Sequence, residues 1–201
     1  MKILWLAVYF LVLIWSGINP KDYFTWLLEV FPALVGLFIM AVTYNKFRLT
    51  PLTYFLILIH SVILMVGGHY TYAEVPLFNW IRDTFDMARN NYDKIGNLAQ
   101  GFIPAVIARE ILLRQEIVVK KSWLSFIVIC ICLAISAFYE LIEWWAALLS
   151  GEAAEAFLGT QGYVWDTQSD MALALLGAIL SLLLLAKIHD NQIRNIKANS
   201  R

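Results

Sequence analysis

Asp166 and Asp170 stand four residues apart, Glu140 and Glu143 three, and Asp93, Asn97 and Gln100 follow one another at four and three, all within or beside strongly apolar runs. Residues at these spacings share one face of a helix, so the chain offers three polar helix faces. Carboxylates gathered in this way can hold a divalent cation, serve as general acid and base, or pass protons through a membrane. His69, after Gly67 and Gly68, adds a nitrogen donor. The candidate catalytic residues are Glu140, Asp166 and Asp170, with Glu143 and Asp93 behind them. The candidate metal ligands are His69, Glu140, Asp166 and Asp170, and Asn97 and Gln100 are supporting polar groups.

The elements that would position these residues are membrane spans. The sequence is 61% hydrophobic and only 15% charged, well below the roughly one quarter charged of a soluble domain. Apolar runs near bilayer-spanning length occupy about residues 3–18, 24–44, 51–72, 96–113, 122–149 and 166–187. The first run ends without a small-x-small cleavage site, so a retained helix is expected rather than a signal peptide. The fourth contains Gln100, Pro104, Arg109 and Glu110 and belongs inside a bundle. Residues 75–92 are too polar to span but place Leu77, Trp80, Ile81 and Phe85 near helical spacing, which predicts an amphipathic helix on the outer surface. The expected fold is an all-α polytopic bundle of about six spans, one domain, without repeats or linkers. Cys130 and Cys132, two residues apart in an apolar run, point to different faces and form no mutual disulfide.

Basic residues set the orientation. Of the 15 Lys and Arg, eleven fall on the side of both termini and four (Lys21, Arg82, Arg89, Lys94) on the other, which predicts cytoplasmic termini. Trp26, Trp80, Trp144, Trp145 and Trp165 fall near outer span ends and Trp123 near an inner one. The loop at residues 150–165, with no Lys or Arg, faces outward. In this frame His69, Asp93, Glu140, Glu143, Asp166 and Asp170 all belong to the outer half, as does Glu29. An acid near mid-bilayer costs up to roughly 3 kcal/mol and turns toward the bundle or a watery cavity. The three faces are therefore expected to converge on an outward-facing cavity.

Several carboxylates together stay ionised only beside positive charge. A divalent cation, retained protons, or Lys94, Arg82 or Arg89 folding over them would each meet that need. Some residues also have plain structural uses. Asp166 suits a helix N-terminus, His69 suits an interfacial hydrogen bond, Glu143 suits headgroup depth beside Trp144 and Trp145, and Arg109 and Glu110 suit structural pairing near the inner surface. The net charge of +0 and the absence of a basic-aromatic groove exclude a nucleic-acid partner. No phosphate-binding loop, zinc helix or nucleophile elbow occurs, so no cofactor-binding residue is assigned. Gly162, Asp166 and Asp170 match half of the CDP-alcohol phosphotransferase motif. Its Asp-Gly-x2-Ala-Arg half is missing, because Asp93 is followed by Lys94 and Ala108-Arg109 begins fifteen residues on.

Five strings carry a family resemblance: residues 68–72 (GHYTY), 92–102 (YDKIGNLAQGF), 108–110 (ARE), 138–144 (FYELIEW) and 162–170 (GYVWDTQSD), the last followed by Met171. They resemble the YjdF family of bacterial inner-membrane proteins over nearly the whole chain. The resemblance implies location and topology but no activity. Many relatives are expected to carry His where this chain has Asn97, a departure that weakens a metal model with a ligand there. Residues 93–180 are more distantly similar to VanZ-like proteins, associated with resistance to glycopeptides that act on cell-wall precursors. That similarity implies an envelope or lipid-linked substrate.

Three functions follow from these readings. The first is a divalent-cation-dependent hydrolysis or transfer on an envelope lipid or precursor, with membrane lipids as the surroundings. The second is a proton- or cation-coupled transporter. The third is a membrane binding or assembly module.

Overall fold

The structure is a computed structural model that describes residues 2–150 and 161–199. Residues 151–160 of the expected outer loop lie outside the described residues. Among those described the chain is helical throughout: α1 (Lys2–Gly17), α2 (Tyr23–Thr43), α3 (Pro51–Tyr70), α4 (Pro76–Thr84), α5 (Tyr92–Arg114), α6 (Leu124–Ser150) and α7 (Asp166–Asn199), with a 3-10 turn at Lys121–Trp123. Four stretches are long and apolar enough to cross a membrane: α2, α3, Lys121–Leu148 and Asp166–Ala198. α1 is apolar but, at 16 residues, reaches about 24 Å against a hydrocarbon core of about 30 Å. α5 is the polar helix, and it is enclosed by α3, α6 and α7.

The exposed surface is apolar, with Leu11, Phe38, Phe126 and Leu183 turned outward, while the buried positions are rich in small and polar residues. This inversion suits a bilayer, where lipid tails solvate large side chains and helices gain by close approach. The closest approach joins α5 to α7. A Cβ on Gly101 would strike the Ala174 backbone, and one on Gly177 would strike the backbone of Leu98 and Phe102. Ala105 and Ala178 continue the seam, both fully buried. The two helices run parallel, since Arg89 just before α5 pairs with Asp166 at the start of α7 and Arg109 near the end of α5 pairs with Asp190. α1 and α2 pack on α3, which passes the contact on to α5.

The ends of α5 and α7 farther from Asp166 are fixed by a buried polar hub. Glu110, fully buried, accepts from Thr50 N (2.9 Å), Thr50 Oγ1 (3.0 Å), Thr53 Oγ1 (2.6 Å), Arg114 Nη1 (2.7 Å) and His189 Nε2 (3.2 Å). The carboxylate thus sits at the N-terminus of α3, where unpaired backbone N–H groups and the helix dipole favour an anion. Gln192 Oε1 accepts the next unpaired donor, Leu52 N, at 2.9 Å. Arg109 donates to Asp190 (2.7 Å) and lies 3.4 Å from His189 Nδ1. These bonds explain why α7 continues past residue 187, where the apolar run ends. His189 and Ile193 are buried, and no Gly or Pro interrupts residues 187–199.

Pro32 and Pro104 lie within continuous helices, α2 and α5. The surface helix predicted over residues 75–92 forms as α4 but ends at Thr84. Asp86 then adopts a left-handed φ of 50°, and the chain turns back toward the bundle.

Both packing features yield stability tests, read from thermal unfolding of the detergent-purified chain by circular dichroism. Gly101→Leu should destabilise the fold by about 1–3 kcal/mol or more, as overpacking does. Gly36→Ala, whose Cβ meets nothing within 4 Å, should leave the melting temperature within a degree or two. Glu110→Ala, which strands buried donors, should cost about 3–5 kcal/mol.

Candidate acidic site

At the other end of the seam the N-termini of α5 and α7 lie side by side. Asp93 is in the first turn of α5 and Asp166 opens α7, with Asp170 one turn further on. Two parallel N-termini present their positive dipole ends to the same point, which favours carboxylates there. Asp93, Asp166 and Asp170 are all buried, and one carboxylate oxygen from each lies within 4.8 Å of the others.

Arg89 bridges two of the three acids. Its Nη1 donates to Asp166 Oδ1 at 2.6 Å, its Nη2 donates to Asp93 Oδ2, and the guanidinium carbon lies 5.3 Å from the Tyr163 ring centre. The loop that delivers Arg89 is secured through Asn90. The Asn90 side chain donates to Val75 O (3.1 Å) and Asn79 Oδ1 (2.8 Å). The Gln161 amide grips the Asn90 backbone from both sides, accepting from its N at 3.0 Å and donating to its O at 2.9 Å. Asn90 Oδ1 then accepts from Tyr92 N (3.1 Å), the first residue of α5. Of the three expected means of balancing the acids, an arginine folding over them is present.

That balance is partial. Asp93 Oδ1 and Asp170 Oδ1 are buried without a hydrogen-bond partner. Asn97 lies close to Asp170, and Thr167 close to Glu140. The acids face a cavity of about 50 Å³, also lined by Asn97, Gln100, Glu143 and Glu29, which gives room for about three water molecules.

The structure thus brings together Asp93, Asn97, Gln100, Glu143, Asp166 and Asp170 around the cavity, while Glu140 lies near Asp166 and Asp170 without lining it. It does not bring His69 there. The His69 ring packs on Trp15 and Tyr70 with its Nδ1 3.0 Å from Ser16 O, joining α3 to α1. Glu29 is an addition that helical spacing did not single out. It is the one acid within α2, and the signal for it is a lone carboxylate inside an apolar run. Tyr72 and Tyr139 complete the wall. The Tyr72 ring fills the spaces where Gly67 and Gly96 would carry Cβ atoms, and it stands on successive left-handed residues, Thr71 (φ 58°) and Tyr72 (φ 52°). Left-handed backbone at a bulky residue costs about 1–3 kcal/mol and gathers at functional sites.

With this geometry in place, comparison with known proteins is informative. Residues 1–191 match a family model described as predicted membrane protein (DUF2238). The chain belongs to this family. It is also 50% identical over 184 residues to the inner membrane protein YjdF of Escherichia coli (strain K12), covering 92% of this chain and 88% of that protein. No solved structure matches.

The Arg89 bridge predicts a specific loss. Arg89→Gln leaves Asp93 and Asp166 facing each other and should destabilise the chain by about 3 kcal/mol. Asp166→Asn in the same chain should restore part of that loss, and a double-mutant cycle on melting temperatures measures the coupling.

Proposed function

We propose that this DUF2238 member is a multi-pass bacterial inner-membrane protein, with cytoplasmic termini, that binds a divalent cation in its outward-facing carboxylate cavity. It uses that cation for hydrolysis or group transfer on an envelope lipid or lipid-linked precursor. The observation that carries the reading is the grouping of Asp93, Asp166 and Asp170 oxygens within 4.8 Å, together with two buried carboxylate oxygens that no donor satisfies. All-oxygen donors suit a hard cation such as magnesium, calcium or manganese rather than zinc. A bound cation of this kind polarises a phosphoryl or carbonyl oxygen or activates water.

The chain's own residues have distinct parts in this reading. Asp93, Asp166 and Asp170 are the ligands, Asn97 orients Asp170, and Glu140 and Glu143 are the carboxyls placed to take and return protons. A cavity of about 50 Å³ holds an ion and a few waters, not a lipid headgroup. The substrate would therefore present only its reacting group, at a mouth covered by the Arg89 loop. A transporter would call for a polar path to the opposite face. Between Gln100 and Arg109 the buried residues of α5 are Gly101, Ile103, Ala105 and Val106, and those of α7 from 174 to 181 are Ala174, Gly177, Ala178 and Ser181, so one hydroxyl is the polar group on this stretch of the seam, which favours the enzyme.

Elemental analysis of the purified protein should find about one equivalent of a divalent metal, and Asp170→Asn should lose it. Reconstituted with total envelope lipid, the wild type should convert one lipid class in a chelator-sensitive way, followed by mass spectrometry. Metal content unchanged in Asp170→Asn would remove the site. Metal binding without any lipid turnover would remove the enzymatic part alone.

A further inference from the structure

At the opposite end of the bundle a second cavity, of about 510 Å³, opens between the turn that follows α5 and the last turns of α7. We infer that this groove binds the headgroup of an anionic phospholipid. Three cations line it, Lys121, Arg194 and Lys197, against a single acid, Glu116. Lys197 Nζ reaches from α7 to the turn, 3.3 Å from Glu116 Oε1 at an exposed pair, while Arg194 Nη2 donates to Asn191 Oδ1 at 2.5 Å within α7. The charge left after the Glu116 pair is positive, as a phosphodiester requires.

The remaining walls are apolar, formed by Leu113, Val118 and Ile193. On the rim, Ile117 is 61% exposed and Val119 is 90% exposed. A turn tip facing water gains nothing from two bare β-branched residues, whereas one meeting acyl chains does. The depth agrees. Lys121 lies two residues before Trp123, which is exposed as an interfacial anchor would be. Arg194 and Lys197 lie about 10 and 15 Å along α7 from Lys187, where the apolar run ends. Lys121 beside Trp123 marks headgroup level, Arg194 and Lys197 reach its aqueous edge, and the apolar groups stand beside them, an arrangement that matches a phospholipid with a net negative headgroup. A free phosphate ion would engage the cations and leave Ile117 and Val119 without a role.

The test uses the full chain in nanodiscs made with equal parts phosphatidylglycerol and phosphatidylcholine, with retained lipid counted by native mass spectrometry after extraction. The wild type should retain phosphatidylglycerol over phosphatidylcholine by on the order of tenfold, given roughly fivefold per basic residue near a membrane surface. Lys121→Gln, Arg194→Gln and Lys197→Gln together should abolish that preference. The charge-keeping pair Arg194→Lys and Lys197→Arg should retain it, and Ile117→Asn with Val119→Asn should weaken retention. Equal retention of both lipids by the wild type, or a preference that survives the triple substitution, would overturn the assignment. So would displacement of phosphatidylglycerol by millimolar inorganic phosphate with no effect of the Ile117 and Val119 substitutions, which would mark a phosphate site instead.

Discussion

The backbone contact between α5 and α7 is the constraint on which the rest of the structure depends. Gly101 and Gly177 let the helices meet without intervening side chains, and at that distance residues a few turns away on either side must interact directly. Because the helices are parallel, the contact has two unlike ends. One gathers two helix N-termini, which attract carboxylates, and the other gathers the two C-terminal halves, where Arg109, Arg114 and His189 are drawn together. A side chain at either glycine would separate both ends at once. In lipid, where large apolar residues gain little by leaving the surface, such close packing is also a main source of helix association.

Burying so many ionisable groups is costly, and the chain meets the cost differently at the two ends. Glu110 is satisfied by five hydrogen bonds from three helices and the α3 cap, which makes it a fastener. The acidic end is organised from outside the membrane helices, by a loop whose Asn90 is fully buried and whose Arg89 donates to Asp93 and Asp166. The strained Thr71-Tyr72 pair and the glycines that accommodate the Tyr72 ring belong to the same end.

The long elements were legible in the sequence because span length is a property of local composition. α2, α3 and α6 begin and end within about two residues of the apolar runs. α7 was legible only to residue 187, since what holds its last twelve residues is the burial of His189 and Ile193, a tertiary effect. The polar faces of α5 and α7 were legible from three- and four-residue spacing, and so was their approach. Arg89 was only one of three basic residues able to reach the acids: its four-residue spacing to Asp93 is legible, but its bond to Asp166, 77 positions away, leaves no periodic trace. His69 is a candidate ligand only as a nitrogen donor in the outer half of α3, and its actual use is the plainer interfacial one, with Nδ1 3.0 Å from Ser16 O. The glycines before it serve other neighbours, Gly67 the Tyr72 ring and Gly68 the Glu29 and Val30 side chains.

The contrast between the ends bears on function more than either end alone. A buried network that evolves for stability tends toward complete satisfaction, since each unmet polar atom costs about 1–3 kcal/mol. The Glu110 hub meets that standard on the same two helices, so the chain is able to build such a network. Asp93 Oδ1 and Asp170 Oδ1, left unmet beside a small water-sized cavity, are then not a packing failure of the fold as a whole. Unmet hydroxyls occur elsewhere, on Tyr9, Tyr44 and Ser181, but among the described residues the two unmet carboxylate oxygens both lie at the end where strained backbone and converging helix dipoles also occur. A buried carboxylate costs more to leave unmet than a hydroxyl, and unmet carboxylates grouped in this way are what the proposed cation site would show, because the same oxygens, once fully hydrogen-bonded, would have nothing left to bind it with.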